Sequence, residues 1–310
     1  MTTASAPGKV ILLGEHSVVY GRPAIAVPVA DVQATAVVTS ERENPGVTIH
    51  ALDIRQTIDV ASAPEDEPLS LTVRNVLSRA GLCPNDVRLS VTLRSTIPVA
   101  SGLGSGAAVA AALVRGLAQY LDLDLAVAQV SDLVYETEKI HHGTPSGVDN
   151  TVVTYGQPVF FRREQPIETF QVGHPFWLAI ADSGLPSVTR ETVGDVRAAW
   201  QRTPRAYEDL FDRIGALVVS AREAIEQGEI AHLGKGMNQN HSLLQEMGVS
   251  SQVLDDLVRA ALDAGAYGAK LSGGGRGGNV IALVEPARRE NVREALTGAG
   301  ARNVIVTKVG

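Results

Sequence analysis

The sequence has few of the features that mark disulfide-rich, membrane-spanning or nucleic-acid-binding proteins. It contains one cysteine, Cys83, which excludes a disulfide framework and fits a reducing compartment. No apolar run approaches the ~20 residues that cross a bilayer, and the first residues lack the regions of a signal peptide. The net charge of −7 argues against a nucleic-acid partner, which usually meets a basic face. We therefore expect a cytoplasmic protein with no membrane or nucleic-acid partner.

Aromatic residues are also scarce. They make up 4% of the chain, against 45% hydrophobic residues in total, which predicts a core of alanine, valine and leucine in an α/β or α+β protein. A length of 310 residues favours two domains. The composition changes over residues 162–175, where charged residues and prolines gather. We place the boundary there, giving domains 1–170 and 171–310.

The centre of the chain carries a glycine-rich stretch at residues 98–108. A strand-like alternation over residues 87–93 precedes it and a helix of small residues follows it. Gly102, Gly104 and Gly106 can adopt backbone angles that other residues avoid. Such a loop can direct its amides at an anion on the N-terminus of the helix. The stretch therefore indicates a phosphate-binding loop. The alternative is a glycine-rich helix start that binds no ligand.

Two other nucleotide-binding motifs fit this stretch less well. Gly102-x-Gly104-x-x-Ala107 matches a relaxed dinucleotide fingerprint, but that motif needs an acidic residue at a second strand end about 20 positions on. Residues 121–124 instead lead into another helical pattern. A P-loop needs a Gly-Lys-Ser/Thr sequence, and none follows these glycines.

Polar residues surround a short apolar run near the N-terminus. Val10–Leu13 predicts a buried strand, with Lys9 before it and Glu15 and His16 just after it. Charged residues beside a buried strand are uncommon. They indicate either a functional site or a solvated strand end with an ordinary salt bridge.

Two acidic residues lie in and shortly after a predicted helix over residues 126–141. Glu138 lies in its last turn, and Asp149 follows a segment in which Gly143, Pro145 and Gly147 predict turns. Both carboxylates could face one cleft.

The second half predicts alternating strands and helices that form an antiparallel sheet with helices on one face. The predicted strands cover residues 176–181, 268–271, 279–284 and 303–308. The predicted helices cover residues 189–202, 205–227, 230–246, 251–264 and 287–298.

Three stretches together resemble the three motifs of the GHMP kinase superfamily. They are Pro-Gly-Lys-Val-Ile-Leu-Leu-Gly-Glu-His at residues 7–16, Pro-x-x-x-Gly-Leu-Gly-Ser at 98–105 and Lys-Leu-Ser-Gly-Gly-Gly-x-Gly-Gly at 270–278. Their order and spacing match along essentially the whole chain. The resemblance implies an α+β fold, with an N-terminal domain like domain 2 of ribosomal protein S5 and a ferredoxin-like C-terminal domain.

Further stretches resemble the branch of this superfamily that phosphorylates mevalonate. They include Gly-Glu-His-Ser-Val-Val-Tyr-Gly at residues 14–21 and Pro-Ser-Gly-Val-Asp-Asn at 145–150. The resemblance implies ATP-dependent, Mg²⁺-assisted phosphorylation of the 5-hydroxyl of mevalonate, and it allows a homodimer. The alternative is a related kinase that acts on phosphomevalonate or another small alcohol.

The resemblance also assigns roles to individual residues. Asp149 matches the catalytic base and Lys9 the lysine that contacts it and the transferring phosphate. Glu138 matches the Mg²⁺ ligand, with Ser105 as a second candidate. The expected substrate-binding residues are Glu15, His16 and Thr189, and Gly273, Gly274 and Gly275 are expected to support the phosphates. The expected ATP-binding residues are Pro98, Ser101, Gly102, Leu103, Gly104, Ser105, Gly106 and Ala107.

Two positions depart from the family pattern. Gly106 stands where the family usually has a serine that binds Mg²⁺, which puts the metal ligands in question. Arg276 stands in a loop that the family fills mostly with glycine. We expect Arg276 to pair with a nearby acid or contact a ligand phosphate, with a side chain in solvent as the alternative.

Overall fold

The computed structural model describes residues 1–41, 45–98, 102–142, 145–166, 168–187 and 189–310. The strands within these ranges are β1 (Thr2–Leu13), β2 (Ala24–Ser40), β3 (Gly46–Ala51), β4 (Gln56–Asp59), β5 (Arg88–Ser95), β6 (Val159–Phe161), β7 (Glu168–Thr169), β8 (Phe176–Asp182), β9 (Gly268–Ser272), β10 (Asn279–Val284) and β11 (Asn303–Val309). The helices are α1 (Pro68–Arg79), α2 (Ser105–Tyr120), α3 (Val127–His142), α4 (Val148–Tyr155), α5 (Thr189–Arg202), α6 (Pro204–Gln227), α7 (Ile230–Glu246), α8 (Gln252–Asp263) and α9 (Arg289–Gly298).

Contacts between residues divide the chain into two compact units. The first contains Met1–Gly8, Val32–Val99 and Leu103–Gly156, and the second contains Lys9–Asp31, Ala100–Gly102 and Gln157–Gly310. The units therefore do not follow a single cut in the sequence, because β1 and β2 each contribute residues to both. The domain boundary expected between residues 170 and 171 stays a prediction.

The first unit is a sheet covered by a helix of small residues. Residues 34–40 of β2 pair antiparallel with β5, β3 pairs parallel with β5, and β4 pairs antiparallel with β3. Helix α2 packs closely on this sheet. A Cβ on Gly116 would lie 3.3 Å from Val38 Cγ2 and 3.4 Å from Ala36 Cβ. The alanine-rich sequence of α2 thus allows the close approach of helix and strand.

Helices α1, α3 and α4 complete the first unit, and the start of α1 follows its local sequence. The Glu67 side chain caps α1 by accepting hydrogen bonds from the N–H groups of Leu69 and Ser70 at 3.1 and 2.6 Å. Pro68 fills the first helical position, where its missing N–H costs nothing. Thr72 on α1 hydrogen-bonds Thr137 on α3 at 2.7 Å, which ties the two helices together.

The second unit is built on an antiparallel sheet with the order β11-β8-β10-β9. All six residues of β10 are buried, and helices α7, α8 and α9 pack against the sheet. The antiparallel sheet predicted for the second half is confirmed. No helix in the described ranges combines the length and apolar character needed to cross a lipid bilayer.

The structure differs from the sequence-based expectation at two places. Helix α4 begins at Val148, directly after the turn-rich segment. Its run of valine and threonine has low helix propensity, so the sequence did not predict it. Gly106 lies inside the first turn of α2, whereas Gly102 and Gly104 have the positive φ angles, 76° and 70°, that the sequence predicted.

Candidate active site

The N-terminal motif turns sharply at the end of β1. Gly14 has a φ of 101°, and a Cβ there would lie 2.5 Å from the Cα of Ala24. Only glycine fits this turn. The turn carries the next two residues into the interior of the second unit, where Glu15 is 1% exposed and His16 is 6% exposed. A solvated strand end is therefore excluded for both.

The backbone of His16 is strained. Its φ and ψ are 60° and −49°, and the N–H of Ser17 donates to the carbonyl of Glu15 at 2.6 Å. This is a γ-turn with positive φ at its centre, a rare form. Such a conformation costs about 1–3 kcal/mol and persists where surrounding contacts hold it.

The ring of His16 reaches the third glycine-rich motif. Its Nε2 lies 3.1 Å from the carbonyl oxygen of Gly274. Burial lowers the pKa of His16 from 6.5 to about 4, while the Gly274 carbonyl opposes this shift. The ring is therefore neutral near pH 7, and Nε2 carries the proton because a carbonyl only accepts. Nδ1 is left as a hydrogen-bond acceptor.

The glycine loop also lies against the start of α5. A Cβ on Gly274 would lie 2.5 Å from Oγ1 of Thr189. Thr189 is exposed, and its hydroxyl is 3.0 Å from that of Ser187. Gly273 and Gly275 have φ angles of 95° and 79°, which favour glycine. The structure thus brings together three predicted positions, His16, Gly274 and Thr189.

Glu15 belongs to a buried polar cluster that the sequence did not predict. Lys270, which is 0% exposed, forms an ion pair with Oε1 of Glu15. Asn240, also 0% exposed, donates from Nδ2 to Oε2 of Glu15 at 3.2 Å. The Lys270 ammonium donates as well to the carbonyl of Leu271 at 2.6 Å. Both carboxylate oxygens of Glu15 therefore have a protein partner.

The predicted catalytic residues lie in both units. Lys9 is buried at 5% exposure and belongs to the second unit. Asp149 belongs to the first unit, where it is half-buried in the first turn of α4. Its neighbour Asn150 donates to Oγ of Ser131 on α3 at 2.9 Å, which fixes α4 on α3. The pairing of Lys9 with Asp149 stays a prediction.

The predicted metal ligands both lie in the first unit. Glu138 is a 3% exposed carboxylate on α3, and Ser105 is the first residue of α2. Within the described ranges, no group of three or more His, Cys, Asp or Glu side chains could hold a metal alone. Mg²⁺ usually binds through one or two carboxylates plus substrate phosphates and waters. One carboxylate and one hydroxyl therefore fit Mg²⁺ delivered with ATP.

The central glycine-rich stretch forms the start of α2. Gly104 occupies the N-cap position, where it offers no capping side chain. The first amides of a helix need an acceptor from outside it, and a phosphate can supply one. Leu103 and Ala107 are buried at 1% exposure each and pack the loop onto its unit. Pro98 is half-buried, and the predicted ligand Ser101 lies outside the described residues.

Arg276 pairs with an acid, which is one of the two contacts expected for its side chain. Its Nη1 donates to the carboxylate of Asp195 on α5, and Nη2 lies 3.4 Å from the carbonyl of Gly248. Its own N–H donates to the carbonyl of Val249 at 2.8 Å. Arg276 has a φ of 58°, so the loop holds a side chain in a conformation suited to glycine.

Two family models match the chain. The GHMP kinases N terminal domain matches residues 69–157, and the GHMP kinases C terminal domain matches residues 221–302. The chain belongs to the GHMP kinases. Its relatives include the mevalonate kinase of Pyrococcus abyssi, 34% identical over 98% of this chain and 95% of the relative. The mevalonate kinase of Pyrococcus horikoshii is 36% identical over 96% and 92%.

Solved structures agree with this membership of the GHMP kinases. The L. major mevalonate kinase in complex with R-mevalonate has a TM-score of 0.86 and 28% identity, and the match covers 100% of this chain and 96% of that one. The Streptococcus pneumoniae phosphomevalonate kinase, at 17% identity and a TM-score of 0.83 over 100% of both chains, shares the fold alone. The predicted α+β fold of the family is confirmed.

The sequence did not predict that Lys270 and Asn240 contact Glu15. One signal for Lys270 was available. It stands inside a predicted buried strand, Gly-Ala-Lys-Leu at residues 268–271, where a lysine requires a partner. The sequence could not show that this partner is Glu15, because the two residues are 255 positions apart.

Proposed function

We propose that this GHMP kinase transfers the γ-phosphoryl group of ATP to the 5-hydroxyl of mevalonate. One observation carries the choice of substrate. Relatives at 34% and 36% identity along nearly the whole chain are mevalonate kinases, whereas the phosphomevalonate kinase structure at 17% shares only the fold.

The residues of the chain would divide the chemistry among them. Asp149 would accept the proton of the substrate hydroxyl as the phosphoryl group arrives, the role of a general base. The ammonium of Lys9 would stabilise charge on the transferring group, where fixed cations provide much of the catalysis. The unprotonated Nδ1 of His16 would accept a hydrogen bond from the substrate and orient it. The amides at the start of α2 would bind the ATP phosphates.

Glu138 and Ser105 would hold Mg²⁺ together with the phosphates and waters. When bound, Mg²⁺ neutralises charge on the ATP phosphates.

We also propose that the reaction is cytoplasmic, which the single cysteine supports, and that the chain forms a homodimer. Sedimentation would test the homodimer, for which the measured mass should be twice the chain mass of 32.6 kDa.

A substrate panel tests the proposal. ADP release is measured with Mg-ATP and either mevalonate, phosphomevalonate, homoserine or galactose. We expect turnover with mevalonate and little with the other three. Faster turnover with phosphomevalonate would instead support the alternative kinase, and ADP release that no alcohol stimulates would contradict both.

A further inference from the structure

We propose that Lys270 is a positioning residue for the phosphoryl-transfer site, which holds Glu15 so that His16 keeps its strained backbone and its ring against the glycine loop. The inference rests on the proposed function, because His16 is taken as the residue that orients the substrate. Lys270 itself acts at a distance, through Glu15.

The contacts of Glu15 favour an indirect role for this carboxylate. Its two oxygens are engaged by Lys270 and Asn240, and the residue is 1% exposed. With a protein donor on each oxygen and 1% exposure, the carboxylate presents little surface to a substrate. Glu15, expected from the family resemblance to bind substrate, is therefore assigned to holding the turn that contains His16.

The strain at His16 explains why its neighbour needs such strong anchors. A γ-turn with positive φ relaxes when the residues on either side are free to move. Here Glu15 is fixed before His16 by Lys270 and Asn240. After it, the hydroxyl of Ser17 donates to the carbonyl of Gly14 at 3.1 Å. The ring itself is fixed by Gly274, so the strained turn is held at three points.

A stability role alone is a weak reason for a buried ion pair. Removing two charges from water costs several kcal/mol per ion, and apolar replacements are often neutral or stabilising. Burial lowers the pKa of Lys270, and Glu15 opposes that shift. Apolar side chains would fill the same space at a lower desolvation cost. Holding Glu15 in one orientation, in contrast, requires the charge and the hydrogen bonds of Lys270.

Lys270 also contributes to the electrostatic setting of His16. Among the described residues, the charged groups that act on the ring are Lys270 and Arg276, and both lower its pKa in addition to the effect of burial. A neutral ring with Nε2 protonated can donate to Gly274 and accept at Nδ1. The position of Lys270 therefore supports the location of His16 through Glu15 and favours the neutral form of its ring, while the Gly274 carbonyl selects the tautomer.

Lys270→Met and the double variant Glu15→Gln/Lys270→Met test this assignment, with Lys308→Met as the matched control because Lys308 is exposed. For each protein we would measure the thermal midpoint of unfolding, the KM for ATP and the KM for R-mevalonate. The ring-nitrogen NMR signals of His16, assigned by their loss in His16→Gln, give a readout that does not depend on turnover.

We expect Lys270→Met to raise the KM for mevalonate about tenfold or more while the KM for ATP stays within about twofold. The His16 signals should lose the pattern of the neutral Nε2–H form. The double variant leaves no unpaired buried charge, so it should recover the thermal midpoint but keep the raised KM and the altered His16 signals. Lys308→Met should match the wild type.

The assignment is overturned if the double variant recovers the mevalonate KM together with the midpoint, or if the His16 signals are unchanged in either variant. An equal rise in both KM values would also overturn it, as the sign of a general structural defect. If Lys270→Met does not fold, the double variant decides alone. A wild-type protein without mevalonate turnover would refute the proposed function, while the His16 signals would still test the positioning role.

Discussion

The Nε2 nitrogen of His16 lies 3.1 Å from the carbonyl oxygen of Gly274, 258 positions later in the chain. This hydrogen bond joins the N-terminal motif to the third glycine-rich motif. The first residue of α5, Thr189, lies against the same glycine.

Gly274→Ala should disturb the site, because the added Cβ would lie 2.5 Å from Oγ1 of Thr189. We expect the free energy of unfolding to fall by about 1–3 kcal/mol, as for other overpacked positions, and the KM for mevalonate to rise. Denaturant unfolding and steady-state kinetics measure these effects.

Gly236→Ala is the matched control for this substitution. Gly236 lies in α7, and its Cβ would meet nothing within 4 Å. Alanine there should leave activity unchanged and stabilise the helix by up to about 1 kcal/mol. An equal change in the free energy of unfolding for Gly236→Ala and Gly274→Ala would contradict the close packing of Gly274.

Arg276→Gly and Arg276→Ala should differ in stability. Both lose the partly exposed pair with Asp195, which is worth about 1 kcal/mol or less. Glycine also relieves the φ of 58°, whereas alanine keeps that strain. We expect Arg276→Gly to unfold within about 1 kcal/mol of the wild type and Arg276→Ala to be about 1 kcal/mol less stable than Arg276→Gly. Identical denaturation curves for the two variants would refute this reading of the loop.

Acid should destabilise the fold through His16. Its pKa is lowered from 6.5 to about 4 in the folded chain, so below pH 6.5 the unfolded chain binds a proton that the folded chain does not. The contribution of His16 is thus fully present above pH 6.5 and is lost as the pH falls to about 4, a change of about 3 kcal/mol.

Comparing the wild type with His16→Gln isolates this effect. The pKa of His241 is also lowered by burial, but His241 is present in both proteins and its effect cancels. We expect the free energy of unfolding of the wild type to fall by about 3 kcal/mol more than that of His16→Gln between pH 7 and pH 4. Parallel curves would show that His16 is not buried in its neutral form.

Much of the second unit could be predicted from the sequence, because its helices are amphipathic and end at recognisable residues. Helix α7 has the predicted bounds, and α6 differs by one residue at its start. The strand near the N-terminus was predicted too short. Strand β1 covers Thr2–Leu13, but only Val10–Leu13 forms an unbroken apolar run, since pairing with β2 extends the strand.

The candidate site could be predicted less completely. The motifs identified His16 and Gly274, but nothing local shows that the two residues meet. The strain at His16 and the anchoring of Glu15 by Lys270 depend on contacts between distant segments. Helix α4, which carries Asp149, forms despite low intrinsic propensity because Asn150 and its neighbours pack on α3.

Asp149→Asn and Lys9→Met should act on turnover rather than on nucleotide binding. Asp149→Asn keeps the shape and removes the proposed base, so we expect kcat to fall by about two orders of magnitude or more. Lys9→Met should also lower kcat sharply. The double variant should lose far less than the product of the two effects, because residues that act as a unit are not additive. An Asp149→Asn variant with most of the wild-type kcat would remove Asp149 from the role of base.

The proposed reaction transfers the γ-phosphoryl group of ATP to the 5-hydroxyl of mevalonate. Phosphorus NMR of a reaction with Mg-ATP and R-mevalonate identifies the hydroxyl that receives it. We expect a new phosphomonoester signal, formed together with ADP and split by the two protons of the adjacent methylene group. A phosphomonoester signal without that splitting would place the phosphate on the 3-hydroxyl, and the absence of any mevalonate-dependent signal would refute the proposed reaction.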